Sequence, residues 1–380
     1  MNEDDFYSDN LEPKAKRKRK RGASTRLWLL AALIFGVVAM SAALFILWAS
    51  PPWASPPAAS LVEFSVEPYP TFSAYPYRVA DMVATSTGFR VVSGSYDGLI
   101  ARDYSVRLAE GTITPDTNAE LISAASVSHI AISSIYDIVY SDYSGSTFFY
   151  SPDGTRQTIG LNAPTRIVFS GNGHRFAIVN PFGKIAVFDT RTRTLRYEIT
   201  PQETIYEPQI RLNQDGTRLL TGSRFGQPFI YDLTGSEARL IATGPDAQTV
   251  SASAIFRPDN SLVDIQNALL IQDDTFRALP IETELCRTAD SAEISPDGRW
   301  LAALVSTYVC VYDLQAAATL PPDTSVQPLM IDLKFEAWTV AFTQDSQYLG
   351  VYTHDYAGSS MLMIITPSTG KTVGITEQQP

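Results

Sequence analysis

The sequence predicts an all-β domain of seven repeated four-stranded units, carried behind one membrane-spanning helix. Three observations lead there: polar turns that recur at one period, apolar runs between them, and one long uncharged segment near the N-terminus. With 45% apolar and 18% charged residues over 380 positions, the chain can bury a sizeable core and lacks a disordered composition. Tyr and Phe, at 18 each, and many β-branched residues between Pro, Gly, Asn and Asp punctuation lean towards strands.

The first 26 residues hold five acids and eight bases, and the remainder holds 35 acids and 21 bases. Such an acidic body is a poor match for a phosphate backbone, so nucleic acid is not an expected partner. Residues 1–26 read as a polar cytoplasmic tail that ends in the basic run Lys14–Arg21. Leu27–Ala49 comes next, 23 residues without a charge, flanked by Trp28 and Trp48. As a helix it would span about 34 Å, enough to cross a hydrocarbon core of about 30 Å. The basic run on its N-terminal side places the N-terminus in the cytoplasm and the rest of the chain outside. A cleavable signal peptide is the rival, but its apolar region runs to about 7–15 residues, shorter than this one. The expected location is the cytoplasmic membrane, as a single-pass signal anchor. Residues 50–70, opening with the Pro-rich Ser50–Ser60, read as a stiff linker.

The repeat occupies residues 71–380. Ile294–Leu314, ISPDGRWLAALVSTYVCVYDL, is its clearest copy: a polar turn, then two apolar runs divided by two residues. Related turns sit at FSGNGHRFA, LNQDGTRLL, FRPDNSLV and FTQDSQYLG, with the turn residue at Asn172, Asp215, Asp259, Asp297 and Asp345. Their period is about 43 residues, which is the length of a blade of four short strands. Val83–Ser105 and Ile130–Ser151 supply two earlier copies. A second SPDG, at Ser151–Gly154, falls where other copies join their last two strands. One blade has two apolar faces and cannot cover them alone, whereas a ring of blades covers both. The expected fold is therefore a seven-bladed β-propeller of four-stranded blades, preceded by one transmembrane α-helix.

Phe188-Asp189, Tyr231-Asp232 and Tyr312-Asp313 stand where WD-repeat proteins carry a Trp-Asp pair. Over most of its length the chain resembles the WD40-like propeller superfamily, in the looser form of divergent bacterial propellers with the SPDG turn. No Gly-His pair precedes the blades and no Trp stands in these pairs. The SPDG turn has a local cause, since Pro suits position i+1 of a type I turn and Asp and Gly suit the two positions after it.

Catalytic signatures are missing. The sequence has neither a phosphate-binding glycine loop nor a nucleophile elbow. His129, His174 and His354 fall at different offsets within their units and lack partners at metal-ligand spacing. No catalytic, cofactor-binding or metal residues are assigned and no cofactor is expected. A quinone-dependent enzyme would resemble propellers rich in docking tryptophans, yet only Trp300 and Trp338 lie within the repeats, and Trp300 reads as core. Cys286 and Cys310 are the only cysteines; in an oxidising compartment they form a disulfide or remain two buried thiols. The expectation is a non-catalytic, membrane-anchored module that binds a protein or peptide of the cell envelope. The alternative is an extracytoplasmic hydrolase, lyase or small-ligand sensor with a site at the channel mouth, assembled from several blades.

Overall fold

Each repeat forms one antiparallel sheet of consecutive strands, and seven such sheets make a β-propeller. The computed structural model describes residues 79–377, apart from short loop segments, together with the strand Glu63–Ser65. Leu27–Ala49 lies outside the described residues; among those described, no helix is long and apolar enough to cross a membrane. The blades span 79–123, 127–159, 166–199, 208–241, 255–278, 291–332 and 336–377. The inner strands are Val79–Ala84, Val127–Ile132, Arg166–Phe169, Pro208–Leu212, Ile255–Phe256, Ser291–Ile294 and Glu336–Phe342. Each touches the next and the last touches the first, so the inner strands enclose a central channel.

The apolar runs are continuous because alternate side chains serve opposite neighbours. In the second strand of the sixth blade, Leu301 and Ala303 pack toward the fifth blade. Trp300, Ala302 and Leu304 pack toward the seventh. Seven apolar clusters result, one at each seam of the ring. Among the described residues the smallest lies between the fourth and fifth blades and is built on Leu220, Ala254, Phe256 and Leu262.

The ring closes without exchange of strands. The seventh blade comes entirely from the C-terminal end of the chain, and Glu63–Ser65 adds a parallel fifth strand to its outer edge, Lys371–Glu377. These three residues belong to the segment that reads as linker in the sequence. Met82, Phe89, Val91 and Tyr104 of the first blade pack on Ala341, Tyr352, Leu362 and Ile364 of the seventh. Gly350 lets the two blades come close, because a Cβ there would stand 2.9 Å from the Phe89 ring.

The turns between first and second strands repeat one geometry. In the clearest copy the Ser295 hydroxyl donates to Asp297 and accepts from the Trp300 N–H at 2.8 Å. Gly298 takes φ 72°, a left-handed conformation that glycine enters at no steric cost. Asn260 and Ser346 hold the same place in their blades with φ 66° and 60°. These turns are also stitched to one another around the ring. Ser134 Oγ donates to the Gly171 carbonyl at 2.9 Å and the Asn172 N–H to Gln214 at 2.8 Å. Asn213 then donates to Asn260 at 2.7 Å, Arg257 to the Gly298 carbonyl at 3.1 Å, and the Asp297 N–H to Ser346 Oγ at 3.1 Å. The SPDG-like turn is thus a joint between blades as well as a corner within one.

The three aromatic-Asp pairs close turns locally. Asp189 accepts from Thr192, Asp232 from Thr234, and Asp313 from Gln315 and Ala316. Asp313 thereby caps a short helix, Leu314–Thr319, between the third and fourth strands of the sixth blade. The sequence pattern does not predict this helix.

Candidate functional site: a polar cluster in the central channel

The inner strands are apolar where they pack and polar where they face the channel. Aligned on the last ladder pair before each turn, Asp81, His129, Arg166, Gln209, Ser291 and Thr339 occupy one register. Two residues further along, Arg211 and Glu293 occupy a second register, where other blades carry Val83, Ala131, Val168, Ile255 and Ala341. The residues between them, such as Met82, Ile167, Ile210 and Ala292, are buried. The twofold alternation of a strand therefore gives one polar register toward the lumen and places Arg211 and Glu293, two residues along, in a register that is otherwise apolar.

Asp81 joins three blades. One oxygen accepts from the Ile132 N–H of the second blade at 2.9 Å. The other accepts from the Thr339 hydroxyl of the seventh at 3.2 Å and from the adjacent Met82 N–H at 2.9 Å. It spans the seams on both sides of the first blade, including the closure of the ring.

Burial pushes the Asp81 carboxyl from 3.8 up to about 6, against the hydrogen bonds from Ile132, Met82 and Thr339 and the charge of Arg211. Glu293 is pushed further, from 4.5 to about 8, by burial first and by the Asp81 charge second. A backbone hydrogen bond from Phe342 and the charge of Arg211 pull it back. Arg211 is lowered by burial, opposed by Glu293 and Asp81. His129 is lowered by burial and then by Arg166, which keeps its ring neutral at neutral pH. Each of these side chains keeps some exposed surface, although burial dominates its charge.

Arg211 stands out chemically. It feels the charges of Glu293 and Asp81, yet its guanidinium makes no hydrogen bond or ion pair among the described residues. Protonated Glu293 adds an O–H donor to the same lumen. The cluster can therefore donate to an oxygen-rich guest.

The other residues that the sequence singled out lie elsewhere. Cys286, in the connection into the sixth blade, is bonded to Cys310 in that blade's third strand, with the Cα atoms 6.3 Å apart. His174 is exposed in a turn of the third blade, while His129 lies in the channel and contacts Ser128 and Ser141. Trp300 is buried at the seam of the sixth and seventh blades, with the Arg299 guanidinium 4.5 Å above its ring. Among the described residues no group of three His, Cys, Asp or Glu side chains is placed to hold a metal ion. Sequence reasoning missed the channel cluster because its members come from different repeats. Its signal was present all the same: Asp81, Arg211 and Glu293 are charges inside the apolar strands VADMVA, PQIRL and SAEI.

A second surface lies on the face that carries the turns between second and third strands. Leu121, Tyr143 and Phe182 belong to the first three blades there, and Phe182 is 82% exposed.

No protein-family model matches the chain and no curated protein matches its sequence. Solved structures match its fold. Hydrazine synthase from Kuenenia stuttgartiensis aligns with a TM-score of 0.53 and 13% identity, covering 78% of this chain and 96% of that one. The β-propeller domain of Cps50 (Swd1) from Myceliophteria thermophila aligns at 0.51 and 13% identity, covering 67% and 87%. At that identity the likeness is one of fold.

Proposed function

We propose that this chain is a membrane-anchored, extracytoplasmic propeller that acts without catalysis, binding a protein or peptide of the cell envelope. The carrying observation is the exposure of Leu121, Tyr143 and Phe182 on one face of three successive blades, where large apolar side chains suit a partner rather than water. The uncharged segment Leu27–Ala49 behind a basic run supports the anchor and its orientation. The Cys286–Cys310 bond suits an oxidising compartment.

Photo-crosslinking in intact cells tests the binding face. A photoreactive residue at Phe182 is expected to form a discrete adduct, and one at Asp345, among the stitched turns of the opposite face, is not. Absence of an adduct at 182, or equal adducts at both positions, refutes the assignment. Protease added outside the membrane should reach residues after Ala49; protection until lysis refutes the orientation.

A second reading has its own observation. The enclosed Asp81, Arg211 and Glu293 cluster suits a small ligand held in the channel, as in a sensor.

A further inference from the structure

We propose that the first and seventh blades form the opening sector of the ring, clasped by the Asp81 and Glu293 carboxyl groups and held more firmly in acid than at neutral pH.

The joints between blades are unevenly shared. On the stitched rim the series from Ser134 to Ser346 links the second blade through to the seventh. The first blade interrupts it. Its turn, Thr85-Ser86-Thr87-Gly88, carries no Asp, and the described hydrogen bonds of Thr85 and Thr87 stay within that blade. Asp81 joins this blade to both neighbours from its inner strand, accepting from Ile132 of the second blade and Thr339 of the seventh. Glu293 acts one seam earlier, accepting a backbone hydrogen bond from Phe342 of the seventh blade. Ile132 and Phe342 each end an inner strand, so both carboxyls cap the same group of the following blade. Three consecutive seams, from the sixth blade to the second, thus carry a titratable joint. Backbone joints from the Ala337 N–H to Ser306 and from the Val127 N–H to Ser95 support the outer two, and the closing seam lies between them.

Both carboxyls hold best when neutral. Burial raises Asp81 from 3.8 to about 6, and burial with the Asp81 charge raises Glu293 from 4.5 to about 8. Each contribution is complete below the ordinary value and is lost as pH rises through the folded one. The Arg211 charge acts on both and limits the loss. The strands packed against Asp81 also carry Arg90, His129 and Glu336, and Glu336 lies on the strand packed against Glu293 as well. Arg90 is paired with Glu120 and Asp103, and Glu336 is exposed. His129 is lowered by burial, so it weakens the ring as pH falls, a trend of the opposite sign. The Asp81 shift alone makes opening about tenfold more frequent at pH 8 than at pH 5, and Glu293 adds to this.

The test is amide hydrogen exchange of the full chain in detergent micelles at steps from pH 5 to pH 8, corrected for the intrinsic exchange rate and read on the inner strands. At pH 8 the strands 79–84 and 336–342 should be less protected than 166–169 and 208–212, as expected of a sector that opens below the global limit. Their protection should fall about tenfold or more from pH 5 to pH 8, and the fall should shrink in Asp81→Asn and in Glu293→Gln. Thr339→Val removes a hydrogen bond that favours the Asp81 carboxylate, so the midpoint of the fall should move to higher pH. That variant keeps the question open to an answer if Asp81→Asn fails to fold. Equal protection of all four strands at pH 8 overturns the opening sector. A fall of unchanged size in the folded carboxyl variants, or a midpoint unmoved in Thr339→Val, overturns the carboxyl clasp.

Discussion

Removing the Asp81 carboxylate should destabilise the ring more in acid than at neutral pH. In Asp81→Ala the Ile132 N–H and the Met82 N–H lose their acceptor, while the Thr339 hydroxyl can rotate to another. Each stranded buried donor costs about 1–3 kcal/mol, so the gross loss is about 2–6 kcal/mol. Against this stands the strain of keeping the carboxyl enclosed. Its pKa rises from 3.8 to about 6 on folding, so its contribution is fully present below pH 3.8 and is lost as pH rises through 6. That change is worth about 3 kcal/mol. The wild type therefore weakens over this window and the Ala variant lacks this term. Equilibrium urea unfolding of both proteins between pH 4 and pH 8 should show the gap between them shrink by about 3 kcal/mol. In the variant Glu293 also loses its like-charged neighbour and should titrate at lower pH. A gap that is constant with pH, or widest at pH 8, refutes the reasoning.

Two further expectations bear on the seams. Gly350→Ala should cost about 1–3 kcal/mol in unfolding free energy, because the new methyl meets the Phe89 ring at 2.9 Å. Combination with Phe89→Leu should then fall short of the sum of the single losses, and strict additivity would exclude the contact. Reduction of Cys286–Cys310, or Cys286→Ser with Cys310→Ser, should cost about 3 kcal/mol for a loop closed over 24 residues. The midpoint of urea unfolding, with and without reductant, measures it.

The blades were legible because their signals are local. A turn such as SPDG leading into an apolar run sets each second strand without reference to the rest of the chain. The short helix after Asp313 left a weaker trace, an Asp before an Ala-rich stretch. Ring closure was not legible, since Gly350 and Phe89 lie at opposite ends of the propeller and meet only when the circle is complete. The same holds for the channel. Asp81, Arg211 and Glu293 share no linear spacing, and only superposition of the repeats on their turns reveals that all three stand on inner strands of the one ring.

The stitched turns also divide the molecule's evolutionary prospects. One face carries the joints between successive blades, so a substitution there disturbs two blades at once. The opposite face, with Tyr143 and Phe182, carries fewer described joints, from the Val127 N–H to Ser95 and from the Ala337 N–H to Ser306, and its other loops can change length or chemistry one blade at a time. Divergence should therefore accumulate unevenly, slowly along the Ser295-Pro296-Asp297-Gly298 rim and freely across the other. New binding specificities can then arise on a ring whose assembly stays untouched.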